Sequence, residues 1–118
     1  MVVCVPVTKD GLVDPRWGRA SRVALATVTG GTIQQWQEID VRWDELHDAG
    51  GEGQHHARVA RFLQENGVGA VVAAHMGPPM EQMLRTMGIA LHLGASGLAR
   101  DAVVRVQGSR GVVGSAGT

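Results

Sequence analysis

The sequence contains one cysteine, Cys4, among 118 residues. A single cysteine excludes an internal disulfide and a zinc site built from several cysteines. There is no tyrosine and only one phenylalanine, so we do not expect the aromatic platform on which many RNA-binding proteins stack bases. No apolar run approaches the roughly 18 residues of a membrane-spanning helix, and the first residues lack the features of a signal peptide. These absences predict a cytoplasmic protein without nucleic-acid or membrane partners.

Charge of either sign is also not in excess, because 11 Lys and Arg residues balance 11 Asp and Glu residues. A balanced chain has no overall field that would attract nucleic acid or an anionic membrane. The length favours a single domain, which buries roughly two-thirds of its unfolded surface. We therefore predict one domain over residues 1–106 and a disordered Gly/Ser-rich tail over residues 107–118.

Three β-type runs occupy the first half of the chain, at residues 2–7, 22–28 and 32–39. Gly30 and Gly31 separate the second and third runs, and paired glycines between two strands predict a tight hairpin. Residues 40–53 are polar and glycine-rich and are predicted to form a loop.

Helical periodicity begins near His55. His56, Val59, Ala60 and Leu63 recur with helical spacing and predict an inward stripe, whereas Arg58 is predicted to face solvent. Apolar runs and helices then alternate, which gives the order β-β-β-α-β-α-β-α. Such crossovers make the later strands parallel, so the predicted fold class is α/β, a mixed five-stranded sheet with helices packed on it.

In this topology the loops after the first, third, fourth and fifth strands share one edge of the sheet. Ligands bind at that edge in open α/β sheets. All five histidines lie in segments that reach it: His47, His55, His56 and His75, and also His92 near the end of the fifth strand. Neutral imidazole binds several transition metals, and the thioether of Met76 adds a preference for soft ones. We single out His56, because it is predicted to point inward from a helix N-terminus, which also favours an anionic ligand.

Short motifs in the order and spacing seen here resemble a known family. Trp17-Gly18-Arg19-Ala20 is similar to its Phe-Gly-Arg-Ala motif, with Trp in place of Phe, and His56 matches a histidine at the start of its first helix. Further matching stretches are Phe62 to Val68, His75-Met76-Gly77-Pro78-Pro79-Met80, Gly88-Ile89 and Gly94-Ala95-Ser96-Gly97. Over about residues 1–106 the chain resembles the dinitrogenase iron–molybdenum cofactor biosynthesis family, the NifX/NafY-type proteins.

The resemblance implies a ribonuclease-H-like three-layer fold and a non-enzymatic role. That role is to carry an iron–sulfur or iron–molybdenum cluster precursor to a recipient metalloprotein. The segment from His47 to His56 and the pair His75-Met76 go beyond the pattern of the family, which leaves a single transition metal open as the cargo. We expect cofactor contacts from His56, His75, Met76 and Arg19. The metal ligands are expected among His56, His75, His55 and His47, with affinity falling as pH drops through about 6.5 because protonated imidazole cannot ligate.

Two other functions stay open on the sequence. A metal-free interaction or regulatory module needs none of these ligands. A metal-dependent nuclease would need several carboxylates held together on strands, but the predicted strands carry few acids and the loops carry most of them, at Asp10, Asp14, Asp40, Asp44 and Asp48. A homodimer formed through an exposed edge strand is a further expectation.

Overall fold

The computed structural model describes residues 1–106, and the predicted tail at residues 107–118 lies outside the described residues. One mixed sheet contains five strands: β1 (Val2–Pro6), β2 (Arg22–Thr29), β3 (Thr32–Asp40), β4 (Val68–Val72) and β5 (Ala90–His92). The strand order is β3-β2-β1-β4-β5. Strand β1 is antiparallel to β2 and parallel to β4, and β4 is parallel to β5. The predicted mixed five-stranded sheet is thus confirmed.

The hairpin predicted between the second and third strands is present. Thr29 pairs with Thr32 across the turn, and Gly30 and Gly31 have φ values of 60° and 79°. Two successive residues with positive φ are what a type I′ turn requires, and glycine adopts them without steric cost. The local sequence therefore fixes this register.

Four helices accompany the sheet: α1 (Trp43–Leu46), α2 (Glu52–Glu65), α3 (Pro78–Thr86) and α4, which comprises residues 99–106. None of the helices in the described range is long and apolar enough to cross a membrane. The prediction of one loop over residues 40–53 is wrong, because α1 lies within it and α2 begins three residues before His55. Trp43 explains α1, since its side chain is 1% exposed and anchors that short helix in the core.

Both faces of the sheet carry a hydrophobic core. One core lies on the side of α2 and α3 and includes Trp17, Trp43, Leu63 and Leu84. The other lies on the side of α4 and contains valines and alanines. The sheet is therefore the middle of three layers, and its carboxyl edge lies between the helix layers.

Candidate binding site

A cavity of about 590 Å³ opens at the carboxyl edge of the sheet, on the side of α2 and α3. We call it the histidine cavity. Its lining comes from three separate stretches of chain: Arg16, Trp17, Gly18 and Arg19; His47, Asp48, Gly51, Glu52, His55 and His56; and His75, Met76, Gly77, Pro79 and Met80. The prediction that His47, His55, His56 and His75 converge on one edge is confirmed, while their roles as ligands stay predictions.

Two helix N-termini border the histidine cavity. Helix α2 starts after Gly51 and α3 starts after Gly77, and neither has a side-chain cap. The first N–H groups of a helix lack intrahelical partners and carry a partial positive charge. In α3 the first two residues are Pro78 and Pro79, which bring no N–H, so α2 supplies more of the donors. This rim favours an anionic ligand over a bare cation.

His56 and His75 are the histidines of this cavity whose ring nitrogens make no hydrogen bond within residues 1–106. The His56 side chain is 23% exposed, and its Nε2 lies 3.8 Å from an oxygen of Glu52. His75 is exposed and makes no hydrogen bond or ion pair within residues 1–106. Met76 is half-buried and packs against the core under α2 and α3. These side chains keep ring nitrogens, and a thioether, that a ligand can reach.

His55 is placed differently from the prediction. The sequence predicts His56 inward and His55 outward, but His55 is the buried one, at 5% exposure. Its Nε2–H donates to the carbonyl of Gly18 at 2.7 Å, and its Nδ1 accepts from Arg58 at 2.9 Å. Burial lowers the pKa of His55, the Gly18 bond opposes that, and the Arg58 charge lowers it further. With both nitrogens engaged, neutral His55 supports the wall of the cavity.

His47 also has partners at both ring nitrogens. Nδ1 lies 3.3 Å from the carbonyl of Asp44, and Nε2 lies 3.2 Å from a carboxylate oxygen of Asp48. A metal bound by His47 would have to displace one of these contacts. The ring nitrogens of His47 are therefore less available to a metal than those of His56 or His75.

Two arginines bring positive charge to the first stretch of the lining. Arg19, predicted as a cofactor contact, is exposed and lines the cavity. Arg16 was not singled out from the sequence. Asp14, which is 3% exposed, accepts from the Arg16 backbone N–H at 2.9 Å and from its guanidinium at 3.2 Å. An Asx turn of this kind is a local signal, and it could have marked Arg16 as a fixed charge.

The wall also contains a buried donor. Trp17 is 2% exposed, and its indole N–H has no hydrogen-bond partner among residues 1–106. An unsatisfied buried donor costs about 1–3 kcal/mol. Trp17 contacts Trp43 edge to face, with ring centroids 5.3 Å apart. An acceptor atom on a bound ligand could satisfy this N–H after a small shift of the wall.

The remaining candidate ligands do not assemble into a cage. Burial raises the pKa of Cys4 far above its ordinary value, so the thiol stays protonated in the core. Asp14 is bound to Arg16, and Asp40 to Arg22. In the part of the chain that the structure describes, no three His, Cys, Asp or Glu side chains are arranged to hold a metal ion.

The fold and the cavity define a class: small α/β proteins with a histidine-lined cavity at the carboxyl edge of a mixed sheet. The profile of the family described as "Dinitrogenase iron-molybdenum cofactor" matches residues 1–109. The chain belongs to that family. Among curated proteins, none matches the sequence significantly.

Solved structures share the fold. The apo form of the orange protein from Desulfovibrio gigas is 26% identical, with a TM-score of 0.74 and coverage of 92% of this chain and 88% of that one. The protein PH0822 is 18% identical, with a TM-score of 0.74 and 92% of both chains covered. A NifB-type protein from Thermotoga, assigned to the DUF35 family, is 23% identical, with a TM-score of 0.65 and coverage of 92% and 89%.

Proposed function

We propose that this protein is a non-enzymatic carrier that binds a metal–sulfur cluster, of the iron–sulfur or iron–molybdenum kind, in the histidine cavity. The observation that carries the proposal is the pair of accessible imidazoles, His56 and His75, on the wall of one cavity beside two uncapped helix N-termini. Membership of the family supports a cargo related to the iron–molybdenum cofactor. We assign the three-layer architecture to the ribonuclease-H-like folds, on the strand order β3-β2-β1-β4-β5.

The size of the cavity supports a polynuclear cargo. A volume of about 590 Å³ lies within the range of roughly 300–1,000 Å³ that is typical of ligand-binding pockets. One metal ion with two imidazoles would fill only a small part of it. A cluster of several metal and sulfur atoms would fill more of this space, whose lining includes both His56 and His75.

One part of the wall supports an anionic cargo. The N-terminus of α2 presents unpaired N–H groups, and Arg19 adds a guanidinium that has no ion pair among residues 1–106, whereas the guanidinium of Arg16 is already paired with Asp14. Such groups bind sulfide or oxo acceptors by charge-assisted hydrogen bonds. The carboxylates of Asp48 and Glu52 oppose this charge, and each lies beside a histidine of the cavity, Asp48 beside His47 and Glu52 beside His56.

The donor set follows from which side chains have no hydrogen bond to give up on binding. His56, His75 and Met76 are the proposed ligands, and Arg19 is the proposed charge contact. His47 would bind only after releasing Asp44 or Asp48, and we propose His55 as a support of the wall and leave it out of the ligand set. A cargo held by few ligands in an open cavity can be passed on, which suits delivery to a recipient metalloprotein in the cytoplasm.

The test is the metal and sulfide content of protein produced and purified without oxygen. We expect His56→Ala and His75→Ala each to lower cluster loading by at least about tenfold, because even outer-shell partners of a metal contribute 10–100-fold to affinity. Gln64→Ala is the matched control, since Gln64 is exposed on the same helix α2, far along from the cavity end. Circular dichroism would verify that each variant keeps its fold.

If the wild type and both histidine variants contained equal amounts of cluster, the cluster would not be bound by the histidine cavity, and that part of the proposal would be wrong. A wild-type protein that contains no transition metal, and takes none up when clusters are supplied, would instead favour the metal-free interaction module. Magnesium-dependent cleavage of a nucleic acid would favour the nuclease.

A further inference from the structure

Arg58 on α2 is half-buried and hydrogen-bonded to the segment before the helix, although the helical pattern predicts that it faces solvent. Its Nη1 donates to the carbonyl of Leu46 at 2.9 Å, and its Nη2 donates to the carbonyl of Ala49 at 3.4 Å. Leu46 ends α1, and Ala49 lies in the loop between α1 and α2. One guanidinium therefore ties the loop that carries His47 and Asp48 to the body of α2.

The same guanidinium reaches a second stretch of the cavity wall through His55. Arg58 Nη1 donates to Nδ1 of His55 at 2.9 Å. A nitrogen that accepts a hydrogen bond carries no proton, so the proton of the neutral ring is on Nε2, which donates to Gly18 at 2.7 Å. Gly18 belongs to the turn that brings Trp17 and Arg19 to the cavity.

Aromatic packing reinforces this chain of hydrogen bonds from Arg58 through His55 to Gly18, which we call the Arg58 relay. Trp43 of α1 meets the His55 ring edge to face with centroids 6.4 Å apart, and it meets Phe62 of α2 at 5.7 Å. Arg58 has the planar fork that two carbonyls and an imidazole nitrogen require. Lysine would keep the charge but not this geometry, because an ammonium group offers its donors from a single atom.

We propose that Arg58 is the positioning residue of the histidine cavity. It holds the loop of His47 and Asp48 directly, and it holds the turn of Trp17 and Arg19 through His55, so that the wall is formed before the cargo arrives. Preorganisation of this kind raises affinity because less of the wall has to be ordered on binding. The inference rests on the proposed carrier function and adds a residue that does not touch the cargo.

The test compares Arg58→Lys with Arg61→Lys. Arg61 is exposed on the same helix and makes no side-chain hydrogen bond or ion pair within the described residues. The probe is tetrathiomolybdate, a small anionic molybdenum–sulfur compound, titrated without oxygen and followed by its visible absorption. We expect Arg58→Lys to weaken binding by about tenfold or more, which is the value of one charge-assisted hydrogen bond, and Arg61→Lys to bind as wild type does.

A second readout separates positioning from a general loss of stability. Amide hydrogen exchange should rise in Arg58→Lys at residues 46–51 and also at residues 17–20, which Arg58 reaches only through His55. The strands of the sheet should exchange as in wild type. In Arg58→Ala, low and non-denaturing guanidinium chloride should restore tetrathiomolybdate binding, whereas the same concentration of sodium chloride should not. This rescue also serves if Arg58→Lys fails to fold.

The outcomes distinguish the two proposals. Wild-type protein that binds no tetrathiomolybdate and no cluster would overturn the carrier function, and this inference with it. Tight binding by wild type and equally tight binding by Arg58→Lys would leave the carrier function in place and overturn the role of Arg58. Faster exchange in both segments with unchanged affinity would also overturn it, because the relay would then be structural only.

Discussion

The two faces of the sheet bury different kinds of side chain. Under α4, the fully buried residues are all valine or alanine. Under α2 and α3, the buried residues include two tryptophans, three leucines, an isoleucine and a methionine, with Phe62 and further methionines packed around them. Small side chains allow a helix to pack close to a sheet, whereas large ones require a greater separation, so we expect the layer of α2 and α3 to be the wider one.

This difference explains where a binding site can form. The large residues fill the wide layer along most of its length, but at the carboxyl edge the lining changes to histidines, glycines and charged groups. The wider layer therefore leaves a cavity at its end, and both helix N-termini of that layer border it. No residue of α4 lines this cavity, so we expect the layer under α4 to support the sheet and not to contact the cargo.

The largest expected effect comes from truncating one buried residue in each layer. Leu84 of α3 and Val103 of α4 are both fully buried. Leu84→Ala should lower the free energy of unfolding by about 2–5 kcal/mol, the usual cost of a large-to-small change in a core. Val103→Ala removes fewer carbon atoms and should cost about 1–3 kcal/mol. Urea denaturation at neutral pH measures both.

The same pair tests whether the layers differ in function. Leu84→Ala should also weaken tetrathiomolybdate binding by folded protein, because α3 carries Met80 and Pro79 of the cavity wall. Val103→Ala should leave binding unchanged. Equal weakening by both variants would show that the cavity depends on the whole core, and the comparison drawn above would fail.

We also expect the free energy of unfolding to depend on pH through His55, which lies in the layer of α2 and α3. His55 has a lowered pKa in the folded protein, so below about pH 6.5, the ordinary histidine value, the unfolded chain binds a proton that the folded protein does not. The free energy of unfolding therefore decreases as pH falls through this range, and the contribution is complete above it. Urea midpoints between about pH 8 and about pH 5, on either side of that value, measure the change.

His55→Gln is the control for this pH effect. A glutamine amide can donate towards Gly18 and accept from Arg58, the two contacts of His55, but it does not titrate. We expect a weaker pH dependence in the variant. If the free energy of unfolding depended on pH as strongly in the variant as in wild type, groups other than His55 would be responsible.

The sequence predicts the sheet well because strands and turns have recognisable local sequence patterns. Alternating β-branched runs and Gly30-Gly31 fix the hairpin, and strand–helix alternation fixes the parallel half. The convergence of His56 and His75 then follows from topology alone. The sequence could not predict which of His55 and His56 faces the core. The two residues are adjacent and of the same type, and Val59 and Leu63 continue a buried helical face from either of them.

The role of Arg58 had no signal in the sequence. Its partners include the carbonyls of Leu46 and Ala49, and a backbone carbonyl is the same for every residue type. The helix α1 was missed for a related reason, since four residues show no periodicity and only the burial of Trp43 in the folded protein explains it. Contacts made by the backbone and by tertiary packing are thus the part that sequence patterns do not predict.

The smallest expected effect is that of Trp17→Phe, which restores the residue of the Phe-Gly-Arg-Ala motif. Removing part of the indole leaves a small cavity, but it also removes a buried N–H without a partner among residues 1–106. These effects oppose each other, so the free energy of unfolding should change by less than about 1.5 kcal/mol. If the cargo accepts a hydrogen bond from this N–H, tetrathiomolybdate binding should nevertheless weaken several-fold. A variant that is clearly destabilised but binds as wild type does would show that Trp17 serves the core of this layer and not its cavity.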